Sequence, residues 1–522
     1  MSDQTEQTAV PKSVIVVGAG SAGSVVARRL ADAGVEVTVI EAGGEDTNPA
    51  IHDLARMPEL WHSPDDWDYR TVPQPGANGH RIHLPRGKVL GGSHSLNATI
   101  WVRCSPVDFD HWASLGNDGW AWEDVLPVYK AIEHFHGEGD PAYRGRDGLL
   151  DVTNEYELDP IQQSIIDAAV QEGLPYNADY NGASLDGISQ QQITVRDGKR
   201  LNTYMTYLKP VRDRVTVEVG CWVHELIFAD RTEGSDETPR VIGVRFAQDG
   251  ETRELFADEV ILAAGALDSP RVLLRSGIGP SDELREVGIE PLVDLPGVGK
   301  NLHDHLLAPV IYETEKPVGP PRPWVSVTQT HHFWESREGL DRPDTQPIHF
   351  SVPMYGEYLE PRSSDGFSLL GGLVTPQARG ELTLSGPNPE DPTLIDLKAL
   401  EHEDDVASLV ASVEQCRRIG RQEALAGEWG ATEIYPGPEI GDGEDLVDYV
   451  RETLATYHHQ VGTCKMGTDD LAVVSPRLAV HGIDGLRVID ASIMPRITTG
   501  NTNAPSILIG ELGAKFVLAG ER

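Results

Sequence analysis

The spacing of apolar and polar positions divides the chain into two kinds of segment. From Ser13 to Glu41 an apolar run, a glycine-rich turn, a stretch with helical spacing and a second apolar run follow in order, which predicts strand, turn, helix and strand. From Val215 the run VTVEVGCWVHELIF alternates as one strand, and VIGVRF at Val241 repeats the signal after an acidic turn, so a hairpin is expected. The stretch Glu259 to Pro280 reads as a strand joined through Ala263, Ala264 and Gly265 to a helix starting near Ser269. In GWAWEDVLPVYKAIE from Gly119, Trp, Leu, Val and Ile recur at helical spacing, which places these aromatics in a core. Between about Leu306 and Leu454 the character changes: Pro and aromatics are frequent, and IHFSVPMY and GELTLSG alternate. That segment is expected to form a mainly antiparallel sheet, covered on one face by helices such as one over Asp404 to Gly420, and to wall a substrate pocket. SILIGELGAKF reads as a closing helix.

The first turn carries chemistry. Gly18 permits a tight exit from the strand, Gly20 permits close backbone approach to a pyrophosphate, and Gly23 permits the helix to lie against the sheet. The helix start that follows favours negative charge through unpaired N–H groups and the helix dipole. Glu41 stands 23 residues past Gly18, where its carboxylate is placed to accept hydrogen bonds from an adenosine ribose.

A length of 522 residues implies two or more domains, or one large domain with an insertion. The formal charge of −39, from 43 basic and 82 acidic residues, repels phosphate backbones and anionic lipid, so nucleic acid and membrane are not expected partners. Ten Lys beside 33 Arg points equally to a salt-tolerant hydrated surface and to codon bias. No apolar run is long enough to span a bilayer, and MSDQTEQTAVPK reads as a polar leader without a secretion signal, so a cytoplasmic location is expected. Cys104, Cys221, Cys416 and Cys464 have no metal-binding spacing and are expected to be reduced and buried. Acidic clusters at Thr232 to Thr238, Glu401 to Asp405 and Gly441 to Asp445 are expected to be solvated loops.

Five motifs in order then resemble the glucose–methanol–choline (GMC) family of flavin-dependent oxidoreductases: GKVLGGSHSLN from Gly87, GALDSPRVLLRSGIG from Gly265, GVGKNLHDH from Gly297, YHHQVGTCKMG from Tyr457 and GLRVIDASIMPRITTGNTNAPSILIGE from Gly485. The resemblance implies a mixed α/β chain with a Rossmann-like FAD-binding domain over 10–155, 195–305 and 456–522. The substrate-binding domain, built on an antiparallel sheet covered by helices, is implied over 156–194 and 306–455. It implies FAD as cofactor. Gly18, Gly20, Ser21, Ala22, Gly23, Glu41 and Ala42 would hold its ADP half, with Val223 meeting the adenine. Gly91, Gly92 and Asn97 would line the flavin ring, and Asp490 with Ala491 would contact the pyrophosphate or ribityl chain. Ala98, Ala264, Gly265, Asn501 and Thr502 complete the expected cofactor set. His94 stands where the family pattern expects a small residue, and Cys104 where it expects Gly, Ala or Pro. The family's covalent flavin histidine aligns with Leu96, so noncovalent FAD is the expectation and a link through His94 the alternative.

Oxidising an alcohol with a flavin needs a base beside the ring. His459 occupies the place of the family's catalytic histidine, and an imidazole accepts a proton near neutrality. Asn501 falls where family members carry a second histidine or an asparagine, suited to holding the alcohol oxygen, while TTGNTN also reads as a helix cap. His458 is expected to be a supporting aromatic, and Tyr457 to shield one flavin face. His303, Asp304 and His305 are read as a structural segment without metal, Cys464 as structural, and His331 and His332 as substrate contacts, solvent-exposed or core. The expected reaction is oxidation of a primary alcohol to an aldehyde, with O2 as acceptor giving H2O2. The alternatives are a dehydrogenase using a quinone or other acceptor, including a choline dehydrogenase-like enzyme, and a flavin-bearing hydroxynitrile lyase. Leu307 replaces the glutamate with which choline-oxidising members bind the quaternary ammonium, which favours an uncharged alcohol.

Overall fold

Continuous apolar runs become central strands. The computed structural model describes residues 9–230, 237–322 and 324–522. The first eight residues of the polar leader and most of the acidic run at Thr232 to Thr238 lie outside them.

A five-stranded parallel sheet has the order Thr216–Val219, Glu36–Glu41, Ser13–Val17, Glu259–Leu262 and Leu486–Val488. Its central strands are buried on both faces, which is why they read as unbroken apolar runs. Helices Gly23–Asp32 and Asn503–Ala519 pack on each other beside it, the second being the expected closing helix. VTVEVGCWVHELIF is not one strand. At Gly220, with φ +70, the chain leaves the parallel sheet, and Trp222–Phe228 begins a three-stranded antiparallel sheet with Val241–Gln248 and Glu251–Phe256. Alternation keeps its period across such a joint, so it cannot report a change of partner. The helix after Glu259–Leu262 starts at Gly265, not near Ser269.

The second large sheet is antiparallel. Its order is Thr432–Tyr435, Leu306–Glu313, Gly366–Leu373, Ile348–Phe350, Thr328–Phe333 and Gly187–Gln190, with Ala455–Thr456 also pairing Leu306–Glu313. Helices Pro160–Glu172 and Glu403–Gly420 cover one face, burying Leu409, Val413 and Ile419. Each such side chain contributes about 1.5–3 kcal/mol on leaving water. At Gly371 a Cβ would meet Val413 N at 2.9 Å, so the absent side chain sets how close the helix lies. Asp405 corrects the expectation of a solvated acidic loop: it is buried in the first turn of this helix and accepts from Gln377 N (2.7 Å) and Ala378 N (3.0 Å). Trp120 lies in the core as its spacing predicts. All four cysteines are buried and unpaired.

Candidate active site

Between the two sheets lies a cavity of about 690 Å³. Its wall takes Gly18, Gly20, Ser21 and Ala22 from the first turn, Glu41 and Ala42 from the second strand, and Val223 from the joint after Gly220. Gly92, Asn97 and Ala98 continue it, followed by Ala264, Gly265, Asp490, Ala491, His459, Asn501 and Thr502. Gly23 and Gly91, expected beside a cofactor, are not on the wall. A Cβ at Gly23 would lie 2.0 Å from the Gly18 carbonyl oxygen, so this glycine serves the packing of helix on strand. Gly91, with φ +94, makes the turn that presents Gly92 instead.

Several features suit an elongated anionic ligand. Two helices begin at the wall, one after Ser21 and Ala22 and one at Asn503, and Asn503 Nδ2 donates to Ser21 Oγ (2.9 Å) to tie the two starts together. Between them Gly92 faces Gly20, where a Cβ on Gly92 would come within 2.9 Å of Gly20 Cα. Glu41 accepts from Ala19 N and Gly43 N, both at 2.9 Å, and burial pushes its carboxyl up to about 7. Asp490 accepts from Gly265 N (2.9 Å), Ser269 Oγ (2.6 Å) and Ser492 N (2.8 Å), so its carboxylate fixes the walls of the cavity rather than standing free.

At the other end the turn Tyr457 to Gln460 is built around a backbone that side chains rarely adopt: His458 has φ +65. Arg86 donates to the His458 carbonyl, His458 N donates to Thr456 Oγ1 (2.6 Å), and Asp304 accepts from His459 N (2.7 Å) and from Gln460 Nε2. These contacts hold strain of the kind found at functional sites. The Tyr457 ring stacks on the His459 ring with centroids 5.2 Å apart.

The His459 ring is bracketed on both nitrogens. Its Nδ1 lies 3.0 Å from His305 Nδ1, and its Nε2 lies 3.3 Å from Asn501 Nδ2. Gln346 Nε2 donates to Asn501 Oδ1 (3.0 Å), which turns the amide N–H group toward His459. His459 Nε2 therefore carries a lone pair, and its proton sits on Nδ1, donated to His305. Burial, with His305, His458 and Arg86 nearby, holds the His459 pKa well below that of a free imidazole. The ring is neutral and open to a proton at Nε2.

The remaining residues sort as follows. His94 is buried with Nε2 3.4 Å from Thr194 Oγ1 and is absent from the wall, while Leu96 is on it. Cys104 is buried and adopts φ +73, a left-handed backbone that favours glycine, one of the residues of the family pattern there. His303 accepts from Ile497 N (3.0 Å) and approaches the Asn301 carbonyl (2.6 Å), so both its nitrogens serve the backbone. His331 and His332 are core, His332 lying 3.1 Å from His349 and 2.8 Å from Gln415. His458 reaches the wall edge-on to Trp61. Sequence reasoning missed His305, Gln346, Arg86 and Asp304 as partners of the His459 and Asn501 pair. Two of them lie inside NLHDH, whose histidines and acid had been read as structural.

Known proteins resemble this chain over nearly its whole length. Two family models, each described as GMC oxidoreductase, match residues 13–307 and 376–510. An oxygen-dependent choline dehydrogenase of Sinorhizobium medicae is 36% identical over 97% of this chain and 95% of its own. An alcohol dehydrogenase (acceptor) of Pseudomonas putida is 34% identical with the same coverage. The crystal structure of pyridoxine 4-oxidase from Mesorbium loti superposes with a TM-score of 0.90 at 34% identity, covering 96% of this chain and 98% of that one. Among the described residues no helix is long and apolar enough to cross a membrane.

Proposed function

The chain belongs to the GMC oxidoreductase family, and from that premise we propose that this FAD-dependent alcohol oxidoreductase converts an uncharged primary alcohol to its aldehyde with His459 as base. The observation that carries this reading is the His459 Nε2 lone pair, 3.3 Å from Asn501 on the wall of the cavity.

The helix starts at Gly23 and Asn503 would hold the FAD pyrophosphate, Glu41 and Val223 its adenosine end, Ala491 its pyrophosphate or ribityl chain, and Asn97 and Ala98 would lie beside its ring. When bound, FAD supplies the acceptor for the hydride that leaves the alcohol carbon. The chain's part is the proton. Asn501 Nδ2 donates to the alcohol oxygen and His459 Nε2 takes the hydroxyl proton. The resulting imidazolium keeps its Nδ1–H on the His305 lone pair, so the new charge meets an acceptor within 3.0 Å. Water is kept from this step by an apolar surround of Leu307, Ile348, Phe350, Leu370 and Trp61.

That surround also supports an uncharged substrate. Leu307 is on the wall, and the carboxylate that the antiparallel-sheet side adds to it, Glu357, is spanned by Arg70 (2.7 and 2.8 Å). A quaternary ammonium group would meet there only a carboxylate whose charge is already paired with Arg70. Oxygen as final acceptor is favoured by the oxygen-dependent and oxidase relatives. Anaerobic mixing with benzyl alcohol or hexanol tests the proposal: the yellow absorbance should bleach, and aerobic turnover should release H2O2. Release of cyanide and aldehyde from a cyanohydrin with an unaltered spectrum supports a lyase instead, and faster bleaching by choline than by either alcohol overturns the uncharged substrate.

A further inference from the structure

We propose that the open end of the cavity holds a site for a divalent transition-metal ion such as Zn2+, formed by His62, His83 and Glu357. One ligand atom from each of the three lies within 4.8 Å of the others, and all three line the cavity.

The two imidazoles are stacked face to face, with centroids 4.0 Å apart and planes 23° from parallel. Asp68 Oδ1 approaches one nitrogen of each ring, His62 Nδ1 at 2.7 Å and His83 Nε2 at 3.0 Å. Asp66 Oδ2 adds a second carboxylate 3.4 Å from His83 Nε2. A carboxylate that takes the N–H of one ring nitrogen leaves the other as a lone pair of raised basicity, the arrangement that orients histidines in metal sites. Here Asp68 orients His62 in this way, and Asp66 and Asp68 stand as carboxylates beside His83 Nε2. Among the described residues no hydrogen bond engages His62 Nε2 or His83 Nδ1, so both lone pairs remain for an ion.

Glu357 comes from the other side of the cavity, on the loop after strand Ile348–Phe350. Arg70 occupies one lone pair on each of its oxygens, and the second lone pairs are free to ligate. Tetrahedral zinc at ~2.0–2.2 Å from its ligands needs donors roughly 3.3 Å apart, a contraction that half-exposed His62 and Glu357 supply by side-chain rotation. Two nitrogens and one oxygen with an open fourth position match a borderline ion such as zinc rather than calcium or magnesium. Because the ligands come from both sides of the opening, the bound ion would hold that opening closed.

The test is calorimetric titration of ZnCl2 into chelator-stripped, untagged holoenzyme, with alcohol turnover followed alongside. Expected are one ion per chain, inhibition reversed by EDTA, and affinity at least tenfold weaker in His62→Ala and Glu357→Gln. Either variant binding zinc as wild type overturns the site, as does binding weaker than millimolar. A second cluster, His134, His136 and Asp151, gives the control. Loss of the ion in His136→Ala, with wild-type binding in His62→Ala, would place the metal on that outer face instead. Inhibition that persists in both His62→Ala and Glu357→Gln would place it on His458 or His459 and equally overturn the proposal. Flavin content and circular dichroism of each variant establish that it is folded.

Discussion

The Nδ1 atoms of His305 and His459 lie 3.0 Å apart, so one imidazole must donate to the other. Asn501 decides which: its amide N–H group faces His459 Nε2, and that nitrogen can accept only if the His459 proton is on Nδ1. The chain Gln346, Asn501, His459, His305 is thus a single line of donors and acceptors in which His459 Nε2 holds the lone pair on the cavity wall.

Removing that lone pair separates chemistry from cofactor binding. His459→Ala is expected to keep its full flavin content, because the helix starts at Gly23 and Asn503 are untouched, yet to reduce flavin roughly 10²–10⁴-fold more slowly in anaerobic stopped flow. Asn501→Ala should slow it less. Normal reduction in His459→Ala would move the base to another group, His458 first.

His305 acts through His459 and should show it in a pH profile. Burial and its neighbours hold His459 below 6.5, so the acid limb of kcat/KM is expected below pH 6.5. His305 accepts the Nδ1–H of His459, a hydrogen bond that favours the imidazolium, so in His305→Ala the limb should move down in pH while kcat falls and KM changes little. An unmoved limb would mean that His305 only fills space.

Stability should fall on the acid side. Burial holds His94, His305, His331 and His458 near about 3 and His332 near about 4. The unfolded chain binds these protons first, so the contribution is complete above pH 6.5 and is lost as pH falls from there toward 4. Each histidine costs about 1.4 kcal/mol per pH unit in that window. Glu41 and Asp304, raised to about 7 and about 6, work the other way but are fewer. Tm measured by calorimetry should drop steeply between pH 6.5 and 4.5; a flat profile there would show that the rings are hydrated.

Salt should raise stability. With a formal charge of −39, self-repulsion acts over a Debye length of about 10 Å at 0.1 M salt and about 3 Å at 1 M. Tm is expected to climb by several degrees when NaCl rises from 0.1 to 1 M, and a falling Tm would show that attractive ion pairs dominate the surface.

What the sequence determined by itself is local or carried by motif. Gly18, Gly20 and Glu41 sit close together along the chain, and strand, turn and helix geometry turns that spacing directly into a cavity wall. His459 and Asn501 were legible through their places in family motifs. Tertiary structure decided what lies across the chain from them. His305 stands 154 residues from His459, and Gln346 stands 155 from Asn501. Over such separations the sequence holds no record of which side chains converge, because the meeting point depends on how elements far apart in the chain pack against one another. The same holds at Gly220, where one unbroken alternation serves two sheets, and at Asp405, whose charge suggested water until two backbone N–H groups were brought to it. Periodicity reports a residue's own element; only packing reports its partner.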